Sequence, residues 1–315
     1  MENSHVEGGR SISVVVPVYN SQDTLGALID RLKATLGPIT SAYEVVLVND
    51  GSRDRSWERV EALAASHPEV RGINLMRNYG QHNALLCGIR AARFEIIVTM
   101  DDDLQHPPEE IPLLLDKLDE GYDVVYGTPK ELPHILWRNL MSRFTKRAMA
   151  IAMGIRNIQD ISAFRCFRTH LRNAFSSYQS PNLLLDVLLS WGTTKFGAVT
   201  VNHQPRLVGK SNYNFIKLFN QALLILTGFS TAPLRVASLV GFTFTFFGLL
   251  VLVYVIGRFA IEGSVPGFTF LASVITIFAG AQLFAVGIIG EYLARIFNRS
   301  VERPTYVVGE ELGVE

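Results

Sequence analysis

Glu95-Ile96-Ile97-Val98-Thr99-Met100-Asp101-Asp102-Asp103 runs from an apolar, β-branched stretch directly into three carboxylates. A short continuous apolar run of this kind is the pattern of a strand buried on both faces. The acidic triplet then puts oxygen donors at the strand's carboxyl end. Towards the N-terminus the same pattern recurs. Ser11–Val18 predicts a strand that ends in Tyr19-Asn20, and Tyr43–Val48 predicts one that ends in Asn49-Asp50-Gly51-Ser52. Val70–Leu75 predicts another. Between them, Ser21–Leu36 carries Leu25, Leu28, Ile29 and Leu32 at helical spacing, and Trp57–Ala65 and Asn83–Ala92 also read as helices. Strand and helix in alternation predict an α/β domain, Rossmann-like, with a mainly parallel sheet and helices on both faces. Ligands of such sheets bind beyond the carboxyl ends of the strands. Tyr19-Asn20, Asn49-Asp50 and Asp101–Asp103 all fall there.

The loop after the first strand is Pro17-Val18-Tyr19-Asn20-Ser21, and neither a G-x-G-x-x-G nor a G-x-x-x-x-G-K-[ST] motif occurs. A dinucleotide fold and a P-loop are therefore disfavoured. Without a glycine cradle a diphosphate needs another counter-charge. Asp101 and Asp103, with Gln105, offer hard oxygen donors suited to Mg²⁺ or Mn²⁺. Such an ion would bridge phosphates and stabilise charge on a leaving nucleotide diphosphate.

Of the 315 residues, 48% are apolar and only 18% charged, below the quarter usual for soluble domains. The deficit is concentrated at 236–257 and 263–290, which contain no Asp, Glu, Lys or Arg. An uncharged helix of about 20 residues crosses the hydrocarbon core of a bilayer. Membrane helices are expected at 236–257 and 267–290, in a two-helix hairpin over 233–292. The alternative for such runs is a helical hairpin buried in a soluble core. Basic residues flank the hairpin on both outer sides: Lys210, Lys217 and Arg235 before it, Arg295, Arg299 and Arg303 after it. This bias predicts a cytoplasmic catalytic domain over 11–232 and a cytoplasmic tail over 293–315. Gly280, Gly287 and Gly290 are candidates for close helix contact. Residues 1–10 read as a flexible N-terminus without an apolar signal segment.

Lysine plus arginine and aspartate plus glutamate number 29 each, so no global charge points to nucleic acid. The two cysteines, Cys87 and Cys166, have no metal-type spacing and suit a reducing compartment. At 134–153, Leu136, Trp137, Leu140, Met141, Phe144 and Met149 interleave with Arg138, Arg143, Lys146 and Arg147. This is the pattern of an amphipathic helix, lying either on a membrane surface or against the sheet. Arg138 or Arg143 is the candidate to meet a lipid phosphate. A second interfacial helix is expected over about 214–230.

An ordered series of motifs now gives a resemblance: Val16-Pro17-Val18-Tyr19-Asn20, Asn49-Asp50-Gly51-Ser52, Arg77-Asn78-Tyr79-Gly80-Gln81-His82, and Asp101 through Glu109. It continues through Glu120–Val125 and Gly209–Tyr213, and then through both apolar runs to Gly290-Glu291-Tyr292. The chain resembles the GT-A glycosyltransferases of family two, and within them the enzymes that glycosylate polyprenyl phosphates. The resemblance implies an inverting transfer from a nucleotide-diphosphate sugar, with uridine diphosphate favoured over guanosine diphosphate as carrier, to a polyprenyl phosphate such as undecaprenyl phosphate. It implies that Pro17, Tyr19, Asn20, Asp50 and Asp102 serve the nucleotide, and that Asp101, Asp103 and Gln105 serve the metal. Asp103 and Asp160 are implied at the catalytic centre, and Arg206 and Lys210 at phosphate groups. It also implies a bilayer location and a homo-oligomer, since relatives form tetramers through their membrane regions.

Asp160 has two open roles, general base or orienting group, because a phosphate monoester is already largely ionised near neutral pH. Two departures stand out. Ser21 replaces the usual Glu, and Asn49 replaces the first Asp of a common Asp-Asp-Gly-Ser. Two alternatives remain in view: a membrane-anchored protein that binds nucleotide-sugar without catalysis, and a transferase with a different lipid or glycan acceptor.

Overall fold

A computed structural model describes residues 9–129, 161–180, 183–202, 204, 231–262, 267–301 and 303–313. The N-terminal half alternates as its apolar patterning requires: β1 (Ser11–Val18), α1 (Leu25–Leu36), β2 (Ala42–Asn49), α2 (Ser56–Ser66), β3 (Val70–Leu75), α3 (Gln81–Ala91) and β4 (Ile96–Thr99). After it come α4 (Ile111–Asp119), β5 (Val124–Pro129), β6 (Arg165–Arg168), α5 (Leu185–Gly192) and β7 (Phe196–Val201). Helices α6 (Ala232–Glu262) and α7 (Phe268–Ser300) follow, and then β8 (Val308–Leu312).

The eight strands form one sheet in the order β7-β5-β6-β4-β1-β2-β3-β8. Its centre is parallel: β1 pairs with β2 and β4, and β2 with β3. β5 and β7 are also parallel. β6 runs antiparallel between β4 and β5, and β8 runs antiparallel along β3. The continuous apolar reading of β1 has a simple cause. Val14, Val16 and Val18 face one core with Leu25, Leu28, Ile29 and Leu32 of α1, whereas Val15 faces the other with Leu85, Leu86 and Ile89 of α3. A strand covered on both faces has no position for a polar side chain in contact with water.

Helix α1 starts four residues later than its apolar spacing suggests. Asn20 has a left-handed φ of 54°. Beyond it the Ser21 N–H donates to Ser56 Oγ at 2.8 Å and the Gln22 N–H to Asp54 Oδ2 at 3.3 Å. These bonds tie the segment to the loop after β2 and keep it out of the helix. The expected segment 293–315 also differs from a simple tail. Its first part continues α7 to Ser300, and its end supplies β8 to the sheet.

The two apolar helices form a unit of their own. Both are long and apolar enough to cross a membrane, over Pro233–Ile261 and Ile277–Ala294, and neither window is buried. The 31 residues of α6 extend about 46 Å, against about 30 Å of hydrocarbon. Phe242 is 75% exposed and Leu283 73%. A hairpin in a soluble core would hide these side chains, so their exposure favours the membrane reading. Within the unit, Phe244 and Phe278 meet edge to face at 5.7 Å. The contact glycine is Gly248, where a Cβ would lie 2.8 Å from Phe278 Cζ. Gly280, Gly287 and Gly290 have nothing within 4 Å of their Cβ positions, so they do not mediate the contact between α6 and α7.

Candidate active site

Four loops leave the carboxyl ends of β1, β2, β3 and β4, and together they enclose a cavity of about 280 Å³. Pro17, Val18 and Tyr19 line it from β1, Asp50 from β2, Asn78, Gly80 and Gln81 from β3, and Asp101, Asp102 and Asp103 from β4. Five of the residues expected to hold a nucleotide or metal thus share one wall with Asp102: Pro17, Tyr19, Asp50, Asp101 and Asp103. Asn20 and Gln105 are not among the lining residues. Asn20 instead clamps two loops, its N–H donating to Ser52 Oγ at 3.0 Å and its Oδ1 accepting the Arg53 N–H at 2.8 Å. The Gln105 N–H donates to Asp103 Oδ1 at 3.1 Å, and its carbonyl accepts the Gln204 N–H at 2.9 Å.

Asp50 is buried at the end of β2 and holds the loop after β3. Its two carboxylate oxygens accept the N–H groups of Tyr79 at 2.6 Å and Gly80 at 2.9 Å. Burial pushes its pKa up, and these two bonds offset only part of the rise. Gly51 follows with a φ of +64°, and a Cβ there would meet the Arg77 carbonyl carbon and the Asn78 nitrogen at 2.6 Å. Only glycine allows the two loops to approach so closely. The loop after β3 contributes backbone donors and small residues rather than a conspicuous charge. The Arg77–His82 motif was its only signal in the sequence, and the position of that motif at a strand end could have identified it.

The three aspartates have different surroundings. Asp101 Oδ1 accepts from Gln81 Nε2 at 2.7 Å. Asp102 turns towards the β1 loop, accepting the Tyr19 N–H at 3.2 Å and the Ser21 hydroxyl. Burial raises its pKa first, and those two bonds counter the rise. Ser21 therefore contributes a hydroxyl that holds Asp102. Leu104, with a φ of 60°, sits in a region unusual for a bulky side chain, yet its side chain is buried in the core. It pins the turn that presents Asp103. His106 stacks on Phe164 at 5.4 Å and ties the same turn to the segment entering β6.

Among the described residues no three His, Cys, Asp or Glu side chains converge as a ready metal cage. Two carboxylates beside a cavity fit a different design. Mg²⁺ is held through one or two carboxylates, with phosphates and water supplying the rest. Asp101 and Asp103 match that donor set; Gln105 lies next in the same turn and does not line the cavity. Asp160, Arg138, Arg143, Arg206 and Lys210, and the expected helices 134–153 and 214–230, lie outside the described residues.

A buried ion pair escaped the sequence reading. Arg165 donates to Asp186 Oδ1, which also accepts the Tyr126 hydroxyl at 2.9 Å. The lone Asp within Leu183-Leu184-Leu185-Asp186-Val187-Leu188-Leu189 was the available signal, since a buried carboxylate requires a partner.

The sequence model of Glycosyl transferase family 2 matches residues 13–177. The undecaprenyl-phosphate 4-deoxy-4-formamido-L-arabinose transferase of Yersinia pestis (strain Pestoides F) is 38% identical over 314 residues, covering 97% of this chain and 95% of the relative. The transferase of the same name from Yersinia pseudotuberculosis serotype O:3 (strain YPIII) matches to the same extent. Among solved structures, glucosyl-3-phosphoglycerate synthase from Mycobacterium tuberculosis, in complex with Mn²⁺, uridine diphosphate and phosphoglyceric acid, superposes with a TM-score of 0.52. It is 19% identical, over 70% of this chain and 78% of that one, and shares the fold. The mixed sheet, the strand-end carboxylates and a family match over more than half of the chain agree: this protein belongs to glycosyl transferase family 2 and is a glycosyltransferase of the GT-A fold.

Proposed function

We propose that the protein transfers a sugar, with inversion, from a uridine-diphosphate sugar to a polyprenyl phosphate, undecaprenyl phosphate being the favoured acceptor, at the cytoplasmic face of a membrane. The observation that carries this reading is the pairing of a carboxylate-lined cavity with an exposed apolar hairpin. The Yersinia relatives, named for undecaprenyl phosphate, align over both parts. An acceptor confined to a bilayer accounts for the hairpin, whereas a soluble acceptor does not. The proposed domains are a cytoplasmic catalytic unit over 11–232 with interface helices near 134–153 and 214–230, and a transmembrane hairpin over 233–292. The expected tail, 293–315, returns β8 to the sheet. A tetramer joined through the membrane helices belongs to the same reading.

The half-exposed Tyr19 ring offers a stacking face for the base, and Asp50 fixes the loop opposite. Asp101 and Asp103 would hold Mg²⁺ or Mn²⁺, which would supply positive charge to the leaving diphosphate. The acceptor phosphate oxygen forms the new bond to the anomeric carbon. The bond to the donor diphosphate breaks, and its electron pair leaves with the nucleotide. One displacement inverts the centre. The acceptor needs little deprotonation, because its second ionisation lies near pH 6.

Asp160 acts as base or orienting group on the acceptor side. Support comes from the chain that follows it. The Ala163 carbonyl accepts Thr99 Oγ1 at 2.9 Å, and Thr99 stands two residues before Asp101. Arg206 follows Gln204, whose N–H is bonded to Gln105, and this supports a role for Arg206 at the phosphates. Lys210 is assigned to phosphate groups on the family resemblance, and Arg138 or Arg143 to the acceptor phosphate on the sequence pattern.

The test uses purified full-length protein with undecaprenyl phosphate, Mg²⁺ or Mn²⁺ and a panel of nucleotide sugars. Lipid-linked product, nucleotide diphosphate and anomeric configuration are read. A retained anomeric configuration overturns inversion. Nucleotide binding without lipid-linked product from any donor favours the non-catalytic alternative, and product on another lipid or glycan favours the other.

A further inference from the structure

We propose that β8 and the residues leading into it position the donor cavity and that Tyr306, two residues before the strand, is the side chain through which they act. This rests on the reading of that cavity as the donor site. The segment Thr305–Leu312 is attached to both elements that flank the loop after β3. On the entering side it pairs along β3, from Gly72 opposite Leu312 to Leu75 opposite Val308. One residue further the Met76 N–H donates to the Val307 carbonyl at 3.0 Å. The chain then forms the loop that supplies Asn78 and Gly80 to the cavity and the two N–H groups held by Asp50.

On the leaving side stands α3, which begins at the cavity residue Gln81. Arg90 of this helix donates to the Tyr306 hydroxyl at 3.4 Å, and its guanidinium carbon lies 5.7 Å from the centre of the Tyr306 ring. The same guanidinium donates to the carbonyls of Ser176 at 3.0 Å and Tyr178 at 2.7 Å. The thiol of Cys87, also on α3 and pushed up to about 12 by burial, hydrogen-bonds with Tyr306. Thr305, the residue before, is buried. The segment thus holds β3 where it enters a short loop whose backbone makes the cavity wall, and holds the far end of the helix into which that loop leads. A donor that binds only the ordered loop has an apparent affinity reduced by the fraction of chains in which the loop is disordered. In sequence, β8 follows directly on α7, so the segment that orders the donor loop is the one that emerges from the hairpin.

The experiment uses the full chain in lipid nanodiscs with undecaprenyl phosphate and compares wild type, Tyr306→Ala and Tyr306→Phe. Donor KM, acceptor KM and the amide hydrogen exchange of 76–81 are measured. Tyr306→Ala is expected to accelerate exchange at 76–81 and to raise donor KM about threefold to tenfold while acceptor KM stays within about twofold. Tyr306→Phe, which keeps the ring over Arg90 and loses the hydroxyl, is expected to fall between it and wild type. Unchanged exchange at 76–81 in Tyr306→Ala overturns the proposal, as does a parallel rise in both KM values. Should the alanine variant fail to fold, Tyr306→Phe decides alone: faster exchange at 76–81 upholds the proposal and unchanged exchange overturns it. Wild type without any transfer refutes the functional reading, while the exchange measurement, which needs no activity, still judges β8.

Discussion

Asn49 Nδ2 donates to Asn74 Oδ1 at 2.8 Å across the carboxyl ends of β2 and β3. The Asn49 Oδ1 also accepts the Ser52 N–H at 3.3 Å, so the side chain braces the loop that starts at Asp50. Asn49 is an amide that faces another amide and does not line the cavity. It therefore belongs to the frame of the site. Asn49→Asp is expected to be tolerated, because Asn74 can turn its NH₂ towards the new carboxylate. Stability should change by no more than about 1 kcal/mol and donor KM by about twofold or less. Asn49→Leu, which leaves Asn74 and the Ser52 N–H unmatched, should lose about 1–3 kcal/mol in a denaturation measurement.

Gly51→Ala tests the close approach of the loops after β2 and β3. The positive φ and the contacts at 2.6 Å both oppose a Cβ. A strained backbone of this kind costs about 1–3 kcal/mol. The expected outcome is a donor KM about tenfold or more above wild type, with acceptor KM little altered. An unchanged donor KM would count against Asp50, Tyr79 and Gly80 as one assembly.

Asp101→Asn and Asp103→Asn address the charge on the leaving group. Each removes a hard anionic ligand while keeping the shape of the side chain. Loss of about 10²–10³ in kcat is expected, the scale typical when a group that stabilises transition-state charge is removed. A chelator should abolish wild-type transfer, and added Mg²⁺ or Mn²⁺ should restore it. Full activity in a chelator would remove the metal from the mechanism.

Acid dependence should show two opposite trends. Burial raises the Asp50 carboxyl above its ordinary 3.8, so folding favours its protonated form. Its contribution to stability is fully present below 3.8 and is lost as pH rises through the folded value. Glu109 runs the other way, since its hydrogen bond from Arg31 lowers it below the ordinary 4.5. That contribution is present above 4.5 and is lost as pH falls through the folded value. On the proposed reading, donor binding needs the ionised Asp50 that holds the Tyr79 and Gly80 N–H groups. Donor KM should therefore rise on acidification at a pH above 3.8, and Asp50→Asn should flatten that rise. A KM profile with the same rise in the variant assigns it to another group.

Asp186→Ala leaves Arg165 charged and unpaired where it is 2% exposed. Breaking a buried pair in this way costs about 3–5 kcal/mol. Arg165→Met combined with Asp186→Leu should recover most of that loss in chemical denaturation, because neither charge then remains to be desolvated.

The elements legible in the sequence were those fixed by local pattern. β1, β2 and β4 announce themselves because both faces of each are covered, which demands runs of Val, Ile and Leu, whereas β3 also carries Arg71, paired with Glu44, and Asn74. The carboxylates at their ends follow from the same reading. β6 is different: Arg165-Cys166-Phe167-Arg168 has a charge at each end, and Arg165 is acceptable in the interior only because Asp186 arrives from α5. β8 carries Glu310 and Glu311 exposed on an edge strand, so its composition resembles a solvated tail. Its strand character depends on the edge that β3 offers. The missing wall of the cavity, 78–81, works largely through backbone N–H groups, which every residue but proline possesses.

The place of β8 in the chain also sets an order of assembly during synthesis. The ribosome makes β1 to β7 first, then both apolar helices, and only afterwards Val308–Leu312. Until that segment has emerged, β3 presents an unpaired edge, and such an edge is a template for pairing with other chains. The nascent catalytic sheet therefore remains incomplete while the hairpin is being made. Its final strand becomes available only after the membrane segment has left the ribosome, so a chain that stalls in the hairpin lacks the strand that closes the donor side.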